Sequence, residues 1–141
     1  MTAPRPFAEI EARMHRLAVA PDALPAVTEL VGLGEEVLEH WIAARGETPT
    51  DSRREGFRLL ALHRQGCKGE PSFNACRETC RELAYYYNLI AARPADAETS
   101  RHLHMASLVA KHLCLFVSGK MQVAELGEFC CSSRPLRANG G

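Results

Sequence analysis

Between residues 73 and 90, Phe73, Cys76, Cys80, Leu83, Tyr87 and Ile90 recur at alternating intervals of three and four. That spacing lines them along one face of an α-helix and turns the repeated Arg-Glu pairs, Arg77-Glu78 and Arg81-Glu82, away from it. No stretch of the chain shows a sustained period of two, and β-branched clusters are few, so strand signals are nearly absent. The fold class that follows is all-α: a small antiparallel helical bundle of five to six helices in a single domain.

The same spacing organises the rest of the sequence. Phe7, Ile10, Met14 and Leu17 form a first helical face, entered through prolines suited to a helix start. A second helix is predicted from about Pro25 to Arg45, where Gly32 and Gly34 each weaken it by about 1 kcal/mol relative to Ala and favour a bend. The stretch RGETPTD breaks the pattern, and Thr50 or Asp51 is the expected N-cap of a third helix ending at Gly66. Ser72 is placed to cap the fourth, which should stop near Arg93-Pro94. A fifth helix, apolar on most sides, is expected over roughly 101–119, and MQVAELGEF supplies a short last one. The bundle domain then covers residues 1–131, followed by a polar C-terminal tail, 132–141.

A chain of 141 residues with equal numbers of acidic and basic side chains shows neither the basic excess nor the basic stripe expected of a nucleic-acid binder. No apolar run approaches the length of a membrane span. The N-terminal segment is amphipathic and mixed in charge, unlike a secretory signal, which points to the cytoplasm. Thiols there stay reduced, so metal or thiol chemistry is favoured over a disulfide framework.

All six cysteines (Cys67, Cys76, Cys80, Cys114, Cys130 and Cys131) lie beyond residue 66. His63 and Cys67, four apart at the end of helix three, mirror Cys76 and Cys80 at the start of helix four. In the antiparallel register that faces Cys67 with Cys76, His63 faces Cys80. Two i,i+4 pairs then meet, with Cβ atoms about 5–6 Å apart within each pair. Three thiolates and an imidazole suit tetrahedral zinc, and thiolate-rich sites also suit copper(I) or an iron–sulfur cluster. If the last helix folds back, Cys130 or Cys131 replaces His63 and completes an all-cysteine set. On Cys76 and Cys80 alone, the CxxxC is similar to bacterial helical bundles whose cores are lined with cysteines for copper, which carry many more cysteines.

The competing account is that these cysteines are core filler, since a free cysteine packs as a small hydrophobe. A disulfide fits Cys67 with Cys76 across the turn better than Cys76 with Cys80 within a helix. Cys114 falls on a separate, more polar stripe with Ser107 and Lys111 and reads as structural. His112 shares a seam with Met105, Val109 and Phe116 and is expected to be buried. GEEVLEHW gathers carboxylates and His40 but lacks the Glu-x-x-His of di-iron bundles. Of three consecutive tyrosines only Tyr87 joins the core seam, leaving Tyr85 and Tyr86 as a surface for a protein partner. No nucleophile triad, phosphate loop or dinucleotide fingerprint is present, so no catalytic residue is assigned. Two functions emerge. One is a cytoplasmic bundle with a Cys/His soft-metal site in a structural, metal-handling or sensing role; the other is a metal-free adaptor that binds a protein.

Overall fold

Five helices carry the fold: α1 (Phe7–Leu17), α2 (Ala23–Ala44), α3 (Arg58–Cys67), α4 (Asn74–Ala92) and α5 (Thr99–Val123). The structure, a computed structural model, describes residues 5–68, 70 and 73–124. Among these the only β pairing is an isolated bridge between Arg54 and Phe57. The two long helices, α2 and α5, lie against each other; α1 and α4 pack on both, and α3 packs chiefly on α2. Among the described residues no helix is long and apolar enough to cross a membrane.

Each helix starts and stops for a local reason. Pro6 supplies the fixed φ of a helix entry, and its carbonyl accepts from the backbone N–H of Glu9 and Ile10, both at 3.0 Å. Helix α1 then buries Ile10, Met14 and Leu17, the expected face. Helix α2 ends in a Schellman motif: Gly46, at φ +83°, donates to the Ala43 carbonyl while Glu47 donates to that of Ile42. Arg93, at φ −144° and ψ 73°, leaves the helical region, which the following proline disfavours, ending α4 where the sequence placed its end.

The glycine pair in α2 does not interrupt it, since the helix is continuous from Ala23 to Ala44. Gly34 instead makes room for neighbours. A Cβ there would stand 3.2 Å from Leu59, 3.3 Å from Leu83 and 3.4 Å from Leu113, one leucine from each of α3, α4 and α5. This is the crossing point around which the core is assembled, and only a residue without a side chain fits so closely there.

The third helix begins at Arg58, later than the Thr50 or Asp51 start that the sequence favours. Arg54 and Phe57 exchange two backbone hydrogen bonds of 2.9 and 3.0 Å around Glu55 and Gly56, both at positive φ. Two consecutive residues in that region close a tight turn and cannot continue a right-handed helix. Thr50 serves as an anchor instead, its N–H donating to Gln65 and its carbonyl accepting from Arg58. Arg58 also pairs with Glu35 and Glu39, and Glu36 pairs with Arg5. The carboxylates of GEEVLEHW therefore fasten other segments to α2. His40 likewise meets the Arg5 carbonyl.

Helix α5 continues through Gly119 to Val123, so the start of the expected short last helix belongs to it. The Ser72 cap, the rest of that last helix, Cys130, Cys131 and the tail lie outside the described residues.

Candidate functional site at the α3–α4 junction

The seam of α4 faces inward as its spacing requires: Phe73, Cys76, Cys80, Leu83 and Ile90 are all buried, with Cys76 2% and Cys80 0% exposed. Tyr87 is half-buried and meets Phe57 edge-on. The end of α3 is pinned to α2, because the Gly66 carbonyl accepts from Trp41 Nε1 at 2.7 Å and from Arg45 Nη1 at 3.2 Å. That anchor places buried His63 and half-buried Cys67 beside the first turn of α4.

His63 is held at the entry of α4: its Nε2 stands 3.2 Å from the Phe73 carbonyl, to which it donates, and the ring is close enough to Cys76 to favour its thiolate. Cys67 in turn lies close enough to Cys76 and Cys80 for their charges to be felt. His63, Cys67, Cys76 and Cys80 therefore share one neighbourhood, yet among the described residues no group of three or more His, Cys, Asp or Glu side chains is arranged to hold a metal ion. Cys67, Cys76, Cys80 and Cys114 are free thiols, so Cys67 and Cys76 are not bridged.

The two sulfurs of α4 stand one helical turn apart and compete for one proton. The Cys80 S–H donates to Cys76, and this outweighs the burial that opposes a charge; His63 adds a further hydrogen bond and positive potential. Cys76 is thereby lowered to about 6, while the hydrogen bond to Cys76, then burial and the Cys76 charge, hold Cys80 far above the ordinary thiol value. One proton is shared between two sulfurs, and the second leaves only at high pH. Burial, the Cys76 charge and Glu70 also push Cys67 upward.

A pH dependence follows from these directions. Cys76, with a folded value below its unfolded one, contributes stability that is lost as pH falls from the ordinary thiol value of 9.0 through about 6. Cys67, Cys80 and Cys114 have folded values above 9.0, so they oppose folding once the unfolded chain deprotonates above that pH. Urea melts compared between wild type and Cys76→Ala should show the wild type gaining from pH 6 to 9, an advantage absent from the variant. A pH-independent difference between the two proteins would remove the shared-proton account.

Several residues singled out in the sequence sit elsewhere. The polar stripe of α5 faces α1: Ser107 donates to the Met14 carbonyl at 2.7 Å, and the Cys114 Sγ lies 3.9 Å from that of Phe7. Burial pushes Cys114 up to about 12, consistent with an inert packing thiol. His112 is exposed rather than buried, its Nδ1 3.5 Å from the Thr79 hydroxyl, although its potential still reaches Cys76. Tyr85 is 57% exposed and packs edge-on against half-buried Tyr86.

The sequence did not single out the surroundings of this junction. A cavity of about 330 Å³ opens over it, with His63 and Cys67 in its wall. Five cations line it: Arg54, Arg64, Lys68, Arg77 and Arg81. The available signal was two like-charged i,i+4 pairs, Arg64 with Lys68 and Arg77 with Arg81, an arrangement that disfavours a helix on its own. Comparison with protein-family models, curated proteins and solved structures finds no match to the chain.

Proposed function

We propose that the chain is a small cytoplasmic helical-bundle protein that binds a soft metal ion at the α3–α4 junction. The observation that supports this reading is the buried Cys76–Cys80 pair, in which one sulfur is favoured as a thiolate and the shared proton occupies the place of a cation. Thiolate pairs select soft ions, and copper(I) is satisfied by fewer ligands than tetrahedral zinc or a four-cysteine cluster. His63 and Cys67 stand by as further ligands, and Cys130 or Cys131 would have to join for zinc or an iron–sulfur cluster. An incomplete ligand set suits metal handling or sensing better than a closed structural site.

The test is anaerobic purification, metal analysis by mass spectrometry, and titration with copper(I) against a competing chelator. One copper(I) per chain is expected, lost in Cys76→Ala and Cys80→Ala. At free copper a hundredfold above Kd the wild type should gain about 2.7 kcal/mol of stability. A melting temperature unmoved by copper(I), in protein that retains no zinc or cluster, would sink the proposal.

A second reading is carried by burial: two cysteines at 2% and 0% exposure fill the core, and the exposed Tyr85 ring offers an anchor to a protein partner. On that reading Cys80→Ala costs only about 1–2 kcal/mol through a small cavity, with or without copper.

A further inference from the structure

We propose that the cationic cleft over the α3–α4 junction binds a small phosphorylated anion, independently of whether the sulfurs below it bind metal. The chain has no net charge, yet five cations converge on one cavity of about 330 Å³. A second cavity of about 600 Å³ adjoins it, shares Arg54, Arg64 and Lys68, and adds Arg53. These side chains come from three separate elements: the turn before α3, α3 itself and the first half of α4. Their convergence is a property of the fold and not of a local run.

The balance of charge within the cleft is unfavourable without an occupant. Among the described residues, Arg54, Arg64 and Lys68 form no ion pair. Arg77 has only its exposed neighbour Glu78, at 3.7 Å. Arg81 is held by both oxygens of Glu55, at 3.1 and 2.7 Å, which fixes its guanidinium without filling the cavity. Besides Glu55 and Glu78, the acids nearby are Glu47, in the wall of the second cavity, and Glu70, close to Cys67. At least two positive charges are left over, matching a dianion.

The donors also indicate which anion. Guanidinium forks from Arg54, Arg64 and Arg77 suit the tetrahedral oxygens of phosphate, and Lys68 adds a mobile point charge. Asn74, the first residue of the 19-residue helix α4, lines the same cavity, so the amide end of that helix adds to the positive field. Among the described residues neither cavity is lined by Phe, Tyr or Trp, and His63 is the one ring in the wall, so there is no run of aromatic platforms for successive bases, as single-stranded nucleic acid requires. The volume is that of a small-ligand site.

Inorganic pyrophosphate is the probe, with binding read by calorimetry at low salt and again at higher salt. Binding to the wild type that weakens with salt is expected. Arg64→Gln with Lys68→Gln should reduce the affinity roughly tenfold for each cation removed. Both side chains are exposed, so the double variant should keep its circular dichroism spectrum; should it not, Arg77→Gln carries the same expectation. Arg101→Gln, on α5 and paired with Glu98, should bind as the wild type does. Cys76→Ala should also retain binding, because that sulfur does not line the cavity, and this separates the cleft from the metal site. Absence of pyrophosphate binding, equal binding by the folded double variant, or a strong preference for a single-stranded oligonucleotide over pyrophosphate would overturn the proposal.

Discussion

Replacing Phe73 with alanine will destabilise the bundle by about 3–5 kcal/mol, the range for emptying a fully buried aromatic site. Phe73 is 1% exposed and stands where three helices meet. Its ring lies 4.9 Å from that of Trp41 on α2 and 5.3 Å, edge-on, from that of Phe116 on α5. Both neighbours are large and held by other contacts, Trp41 by its indole N–H on Gly66, so the walls cannot close over the space. The loss should appear in urea melts as a lower midpoint at unchanged slope. The Phe73 carbonyl also receives His63, and residue 73 sets the entry of α4. A shifted entry moves Cys76 relative to His63, so the thiolate should form at higher pH in the variant. A loss under about 1 kcal/mol, below anything expected of a buried ring, would mean that Phe73 is not the hub of the junction.

The burial of Phe73 was visible in the sequence, and its neighbours show where that visibility stops. Periodicity reports which side of a helix is buried, and it did so for Phe73, Cys76, Cys80, Leu83 and Ile90 because one face of α4 meets solvent throughout. It also marked Ile10, Met14 and Leu17 on α1. Periodicity says nothing about register between helices. The spacing offers His63 a partner in Cys80 only if α3 and α4 run as a ladder; the hydrogen bond His63 makes is to the Phe73 carbonyl, and α3 is pinned to α2 through Gly66, Trp41 and Arg45. Nothing in the spacing of α3 and α4 encodes that third helix.

Local signals failed where two of them competed. Thr50 and Asp51 are good N-cap residues, but the Glu55-Gly56 turn lies between them and the helix and imposes its own backbone. The cleft was hidden for another reason. A net charge of zero averages over the chain, and Arg54, Arg64 and Arg77 come together only once three segments have packed. The like-charged pairs on α3 and α4 are visible one helix at a time; that they face the same cavity is not.

The glycine that fixes this geometry gives the last prediction. A Cβ on Gly66 would stand 3.0 Å from both Ile42 Cγ1 and Trp41 Cδ1. Ile42 is buried in the core, and the Trp41 indole is tied to the Gly66 carbonyl, so neither has room to yield. Gly66→Ala gains about 1 kcal/mol of helix propensity and loses about 1–3 kcal/mol to overpacking, leaving a small net loss. Gly66→Val adds two methyl groups beyond the alanine against the same wall, and its loss should reach or exceed about 3 kcal/mol. Gly32, on the same helix as Trp41, provides the contrast: a Cβ there meets nothing within 4 Å. Gly32→Ala should therefore stabilise the protein by about 0.5–1 kcal/mol. Melts of the three variants separate close packing from helix propensity, since propensity alone would make both alanine variants more stable. Because α3 must lift off α2 to admit the valine, Gly66→Val should also carry His63 away from Cys76 and raise the pH at which the thiolate appears. If Gly66→Val melted like the wild type and its thiolate formed at the same pH, the α2–α3 contact would not be what positions the site.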